Sequence, residues 1–139
     1  MGEKMYVKES LEREMIDSGR ILLEELDREK MHVKAALWLY FEDSESWRLI
    51  LALPQVGRMG PKILYEKIQK LFKKLRKEHR NDFSEKLYLG NVAIVLPDHP
   101  IVELLSSVIH TGSGIGGVRF SKNTINGTYI EDAYIYRLN

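Results

Sequence analysis

The chain contains no cysteine. That excludes a disulfide framework, a thiolate zinc site and a cysteine nucleophile, and it fits a reducing compartment. Proline is scarce: Pro54, Pro61, Pro97 and Pro100 all stand where the hydrophobic pattern breaks. No apolar run approaches the roughly 20 residues of a membrane helix. The N-terminal Met-Gly-Glu-Lys-Met-Tyr has no apolar core for a signal peptide. Met1-Gly2 begins a myristoylation pattern, but Tyr6 occupies the place of its Ser or Thr. Neither sign of charge dominates, with 21 basic against 20 acidic residues. The surface is therefore that of a solvated globular protein, not of a globally basic nucleic-acid binder. The expectation is a cytoplasmic protein with no membrane contact. At 139 residues it is one domain, residues 1–139, large enough to fold without a metal or disulfide.

What is present is a regular alternation of periodicities. Residues 7–29 predict a helix, with Leu11, Met15, Leu22 and Leu26 on one stripe. Gly19 falls on that apolar face and implies close approach of a neighbour. Residues 33–41 read as a buried strand and 47–53 as its hairpin partner across a short polar loop. Trp38 and Trp47 read as packing residues. After a loop over 54–60, Pro61 opens a second helix reaching about Arg80. Residues 87–96 predict a strand with a bulge at Gly90-Asn91. Asp98 then caps a third helix that ends near His110, with Gly112 as its left-handed stop. Strands over 115–124 and 129–138 flank Asn126-Gly127, a strong signal for a type I′ hairpin. The order is α-β-β-α-β-α-β-β. It predicts an α+β fold with a single mixed, mostly antiparallel five-stranded sheet and three helices.

The motifs exclude more than they assign. Residues 112–117 match G-x-G-x-x-G literally. A dinucleotide loop follows a strand and opens a helix, whose N-terminus receives the pyrophosphate. Here a helix precedes and a strand follows, so the dipole has the wrong sign. A kinase-type loop fails at Arg119, where valine is required. No G-x-S-x-G elbow is present. Pro97-Asp98 lacks the acidic-x-lysine element of a nuclease. His32, His79, His99 and His110 have no metal-ligand spacing. No cofactor and no metal is therefore implied. The Asn126-Gly-Thr128 sequon has no secretory signal to make it meaningful.

The C-terminal hairpin carries the most information. With Asn126-Gly127 as the turn, Asn123 faces Ile130, Ser121 faces Asp132, Arg119 faces Tyr134 and Gly117 faces Tyr136. Phe120 with Ala133 and Val118 with Ile135 make the opposite, apolar face, and Lys122 meets Glu131 near the turn. One face thus collects Arg119, Ser121, Asn123, Asp132, Tyr134 and Tyr136, a composition favoured in recognition. Asp132 can reach Arg119, and Gly117 leaves room over Tyr136. The leading expectation is a non-catalytic binding or interaction module using this face, with a second copy or another protein as partner. A second reading is nucleic-acid binding through the lysine-rich helix 61–80, helped by Arg119 and Lys122. A third is a small hydrolase- or nuclease-type enzyme drawing on Asp98, His99, His110, Arg119, Glu131 and Asp132.

Overall fold

The computed structural model describes residues 9–139. The start of the predicted first helix, at residues 7 and 8, lies outside them. The elements are α1 (Arg13–Arg28), β1 (Ala35–Phe41), β2 (Ser46–Ala52), α2 (Val56–Met59) and α3 (Pro61–His79). They continue with a 3₁₀ turn (Leu89–Asn91), β3 (Val92–Val95), α4 (Pro100–Ser106), β4 (Val118–Ile125) and β5 (Thr128–Leu138). One mixed sheet has the order β3-β2-β1-β5-β4, antiparallel except where β3 runs parallel to β2. The predicted α+β class and element order stand. The four-residue α2 is an addition within the expected loop.

The sheet is covered on both faces, as the apolar-on-both-sides pattern of β1 requires. Ala36, Trp38 and Tyr40 join the larger core under α1 and α3, with Leu22, Leu26, Ile68 and Leu75. Ala35, Leu37 and Leu39 face the other way, against Val102 and Leu105 of α4. Each large apolar side chain buried in this way contributes about 1.5–3 kcal/mol.

Helix α1 ends in a Schellman motif. Lys30 N–H bonds to the Asp27 carbonyl and Met31 N–H to the Leu26 carbonyl, both at 3.0 Å. Lys30 lies in the left-handed region (φ 56°), as does His32 (φ 53°). Glycine takes such positions freely, whereas a side chain there costs about 1 kcal/mol.

Several predicted boundaries change: within the described residues α1 begins at Arg13, leaving Leu11 ahead of the helix, β1 begins at Ala35 instead of 33, and β4 begins at Val118 instead of 115. The strand expected over 87–96 is confined to Val92–Val95. Asn91 turns the chain instead of bulging it: its Oδ1 accepts the Tyr88 N–H (3.0 Å) and its amide donates to the Lys86 carbonyl (2.8 Å). Helix α4 is capped by His99, not Asp98, with Nδ1 accepting the Ile101 N–H at 3.2 Å. It stops at Ser106, well short of His110, as the Ser107 hydroxyl donates to the Leu104 carbonyl at 2.6 Å. Gly112 (φ 76°) therefore bends a connecting loop and does not terminate the helix.

Candidate functional site

The C-terminal hairpin forms in the predicted register, with Arg119 opposite Tyr134, Ser121 opposite Asp132 and Asn123 opposite Ile130. Both turn residues are left-handed, Asn126 at φ 48° and Gly127 at φ 82°, as a type I′ turn requires. Two irregularities redistribute the faces. Lys122 also lies at φ 48°. Beyond it, Ile125 and Ile130 turn into the same core as Ala133 and Ile135, so Ile130 leaves the polar face. On the other side of β5, the register with β1 shifts between Ala36 and Leu37. Ile135 pairs with Leu37 and Arg137 with Ala36, so Tyr136 is the extra residue of a bulge. Tyr136 and Arg137 consequently both face α1.

The six predicted site residues do not form one open surface. Tyr136 is fully buried. Its hydroxyl accepts the Trp38 indole N–H at 3.0 Å and donates to the Ile16 carbonyl at 2.5 Å. Burial pushes the Tyr136 hydroxyl well above the ordinary phenol range, so it remains a neutral donor. Tyr134 is half-buried and stacks edge-on against Tyr136, 5.4 Å between centroids. The space left by Gly117 is filled by the Tyr134 hydroxyl, not by Tyr136 as the simple register implies. Asp132 is buried and holds Arg119 in a two-point fork, Nε to Oδ1 and Nη2 to Oδ2, both 2.7 Å. That fork raises the Arg119 pKa further. Arg119, Ser121 and Asn123 are exposed.

Arg119 also lies over the Trp47 ring, 5.7 Å from guanidinium carbon to centroid. Trp47 is otherwise a core residue, and its N–H donates to the Glu9 carbonyl at 2.8 Å. A cleft of about 340 Å³ opens here, lined by Glu9, Ser10, Leu11, Trp47, Arg119 and Asp132. Strand alternation could have placed Arg119 and Trp47 on one face only if the sheet order had been known.

Strand β4 is one edge of the sheet and is exposed along most of its length. The opposite edge is treated differently. The Tyr65 hydroxyl of α3 accepts the Ile94 N–H (2.9 Å) and donates to the Val92 carbonyl (3.4 Å), satisfying backbone groups of β3. Nothing in the sequence marked Tyr65 for this purpose.

The enzyme candidates are divided by the sheet. Asp98 and His99 precede α4, on the face of the second core, and Glu131 lines a cleft there with Ile101 and Ile130. Arg119 and Asp132 lie with Trp47 on the other face. His110 is exposed in the loop after α4. Among the described residues, no group of three or more acidic or histidine side chains could hold a metal ion. The glycine stretch gives its backbone groups to the protein itself. Arg137 Nε donates to the Gly114 carbonyl (3.2 Å), Arg20 to the Gly116 carbonyl (3.4 Å), and Gly116 N–H bonds to the Tyr136 carbonyl (2.8 Å).

The basic face of α3 is partly answered by α1. Lys74 reaches Glu25 at 3.1 Å and Lys67 reaches Glu29 at 4.0 Å, while within α3 itself Lys74 reaches Glu78 at 3.8 Å. Glu25 is nearly buried, its side chain 4% exposed, and Arg28 also holds it at 2.8 Å. Arg28 first, then Lys74, keeps its carboxyl below the usual carboxylate range against the opposing effect of burial. The folded pKa thus lies below the unfolded one. The stabilisation is fully present above about pH 4.3 and is lost as pH falls through the folded value. Glu25→Gln should remove that part of the acid-side loss. Thermal melts from pH 7 downward should show the variant and the parent converging at low pH.

No helix among the described residues is long and apolar enough to cross a membrane. A comparison with protein-family models, with curated proteins and with solved structures finds no match to this chain.

Proposed function

We propose that the protein is a non-catalytic interaction module that takes its partner along β4, and that its first partner is a second copy of itself. The observation that carries this reading is the contrast between the two sheet edges. Tyr65 occupies backbone groups of β3, while β4 is exposed over most of its eight residues. An open edge strand offers a row of backbone donors and acceptors to another chain. Regular extended geometry runs through residues 118–121, ahead of the left-handed Lys122. Arg119 is neutralised by Asp132 within the same subunit, so two copies can approach without opposing bare cations. The scatter of the catalytic candidates across both faces supports a binding function over an enzymatic one.

Antiparallel pairing of β4 with its own copy keeps each residue on its own face of the joined sheet, so a register centred on Arg119 sets Val118 of one copy against Phe120 of the other. Paired Cα atoms then lie about 4.5–5.5 Å apart, within disulfide reach. The parent chain has no thiol to interfere. A mixture of Val118→Cys and Phe120→Cys chains should oxidise to a mixed dimer. Either of them mixed with Lys73→Cys, on the exposed face of α3, should not. Sedimentation as a monomer at every concentration, with no mixed dimer formed, would overturn the reading.

A further inference from the structure

We propose that the cleft at the C-terminal end of α1 binds a compact oxyanion, either free phosphate or a small phosphate-bearing molecule. The site lies apart from β4 and does not depend on self-association. The cleft has a volume of about 290 Å³. That is at the small end for ligand pockets and too small for a dinucleotide. Lys30, His32, Lys34 and Ser113 line it, together with Val33 and Asn139, and Arg137 and Asp27.

The local fold brings these side chains to one rim. The Schellman stop of α1 turns Met31 into the core, and Val33 follows it inward. Lys30, His32 and Lys34 alternate with them and are all exposed. Lys34 is fixed as its N–H bonds to the Ala52 carbonyl at 2.9 Å. Arg137 is nearly buried and saturated by neighbours: Asp27 takes it in a two-point fork (2.9 and 2.7 Å), and the Val33 and Gly114 carbonyls accept from it at 3.2 Å each. Through Gly114 it holds the 112–117 loop beside the rim, which sets the Ser113 side chain on the cleft.

Two observations point to a ligand. First, the one acidic side chain lining the cleft, Asp27, is taken by Arg137. Among the described residues, Lys30, His32 and Lys34 have no carboxylate within ion-pair distance. Second, Lys30 and His32 both hold left-handed backbone positions where glycine would fit without strain. Strained positions that keep functional side chains cluster at binding sites. Lysines act as point charges and a hydroxyl as a directional donor, a combination suited to phosphate oxygens.

The test is a titration of the intact chain with inorganic phosphate and, separately, glycerol 3-phosphate, followed by amide NMR shifts. The residues expected to move together are Lys30, His32, Lys34 and Ser113. Tighter binding of the ester identifies a phosphate-bearing molecule, and equal binding identifies the free ion. Lys30→Gly is the decisive variant. It should raise the melting temperature by about 3 °C, because the strain is relieved, yet weaken phosphate binding at least fivefold. Lys34→Ala should weaken binding similarly without raising the melting temperature. The proposal fails if phosphate leaves these four residues unmoved, if shifts appear instead along the α3 lysines, or if Lys30→Gly binds as the parent does.

Discussion

Gly19→Ala should destabilise the protein by about 2–3 kcal/mol, although alanine is the better helix former by about 1 kcal/mol. The reason lies in what α1 rests on. A Cβ at position 19 would strike the Tyr136 hydroxyl and come within 2.9 Å of the Trp38 indole nitrogen. Both rings are fully buried, and each is fixed by the other through the 3.0 Å hydrogen bond. The Tyr136 hydroxyl is fixed again by the Ile16 carbonyl, one turn before Gly19. Neither ring can yield without breaking a buried hydrogen bond or lifting α1 from the sheet. Overpacking of this kind costs about 1–3 kcal/mol, and a stranded buried donor about 1–3 kcal/mol more, from which the gain in helix propensity is subtracted. Denaturant titration should show the midpoint lowered with an unchanged slope. A double-mutant cycle gives the sharper check. Tyr136→Phe removes the atom that the new methyl strikes, at the expense of leaving the Trp38 N–H unpaired. Gly19→Ala in that background should therefore cost less than in the parent. Full additivity of the two changes would show that the clash is not where the structure puts it.

Gly19 also shows what could be read from the sequence and what could not. Its place on the apolar stripe of a helix was visible, and so was the inference of close packing. Its partner was not, because Tyr136 lies on a strand whose position in the sheet no local pattern specifies. The same division runs through the hairpin. Asn126-Gly127 sets the register by turn chemistry that acts over two residues, and the pairing followed correctly from it. The faces did not follow. Lys122 enters the left-handed region in mid-strand, and Tyr136 is bulged against β1, a strand nearly 100 residues away in sequence. Strict alternation therefore placed Tyr136 on an open surface when it belongs to the core. It also left Arg137 without an assignment, although it is among the most deeply buried charged residues. The candidate site was legible in its local pair, Arg119 with Asp132. Its backing by Trp47 and its contrast with the Tyr65-capped edge arise from sheet order alone.

Arg137 supplies the other large effect, and it is asymmetric. Asp27→Ala should cost about 3 kcal/mol, whereas Arg137→Met should cost clearly less. Asp27 Oδ1 and Oδ2 receive Arg137 at 2.9 and 2.7 Å, while the Val33 and Gly114 carbonyls take further donors. The two side chains differ in exposure: Arg137 is 5% exposed and Asp27 37%. Removing Asp27 leaves a guanidinium that cannot reach bulk water without breaking its carbonyl contacts. Stranding a buried charge costs about 3–5 kcal/mol, and the partial exposure of the site puts the expectation at the lower end. Removing Arg137 instead leaves a carboxylate already one-third in water, which can hydrate in place. Methionine keeps much of the buried volume, so the loss reduces to the two carbonyls deprived of donors. The two variants should also separate dynamically. With Arg137→Met the 112–117 loop loses its Gly114 tie to β5 while Gly116 N–H stays on the Tyr136 carbonyl, so amide exchange should accelerate at 112–115 first while α1 stays protected. With Asp27→Ala the retained Arg137 still holds Gly114, and protection should fall at the end of α1 first. Equal stability losses, or the same exchange pattern in both variants, would show that the pair acts as an interchangeable surface ion pair and not as the lock between α1, β5 and the glycine loop.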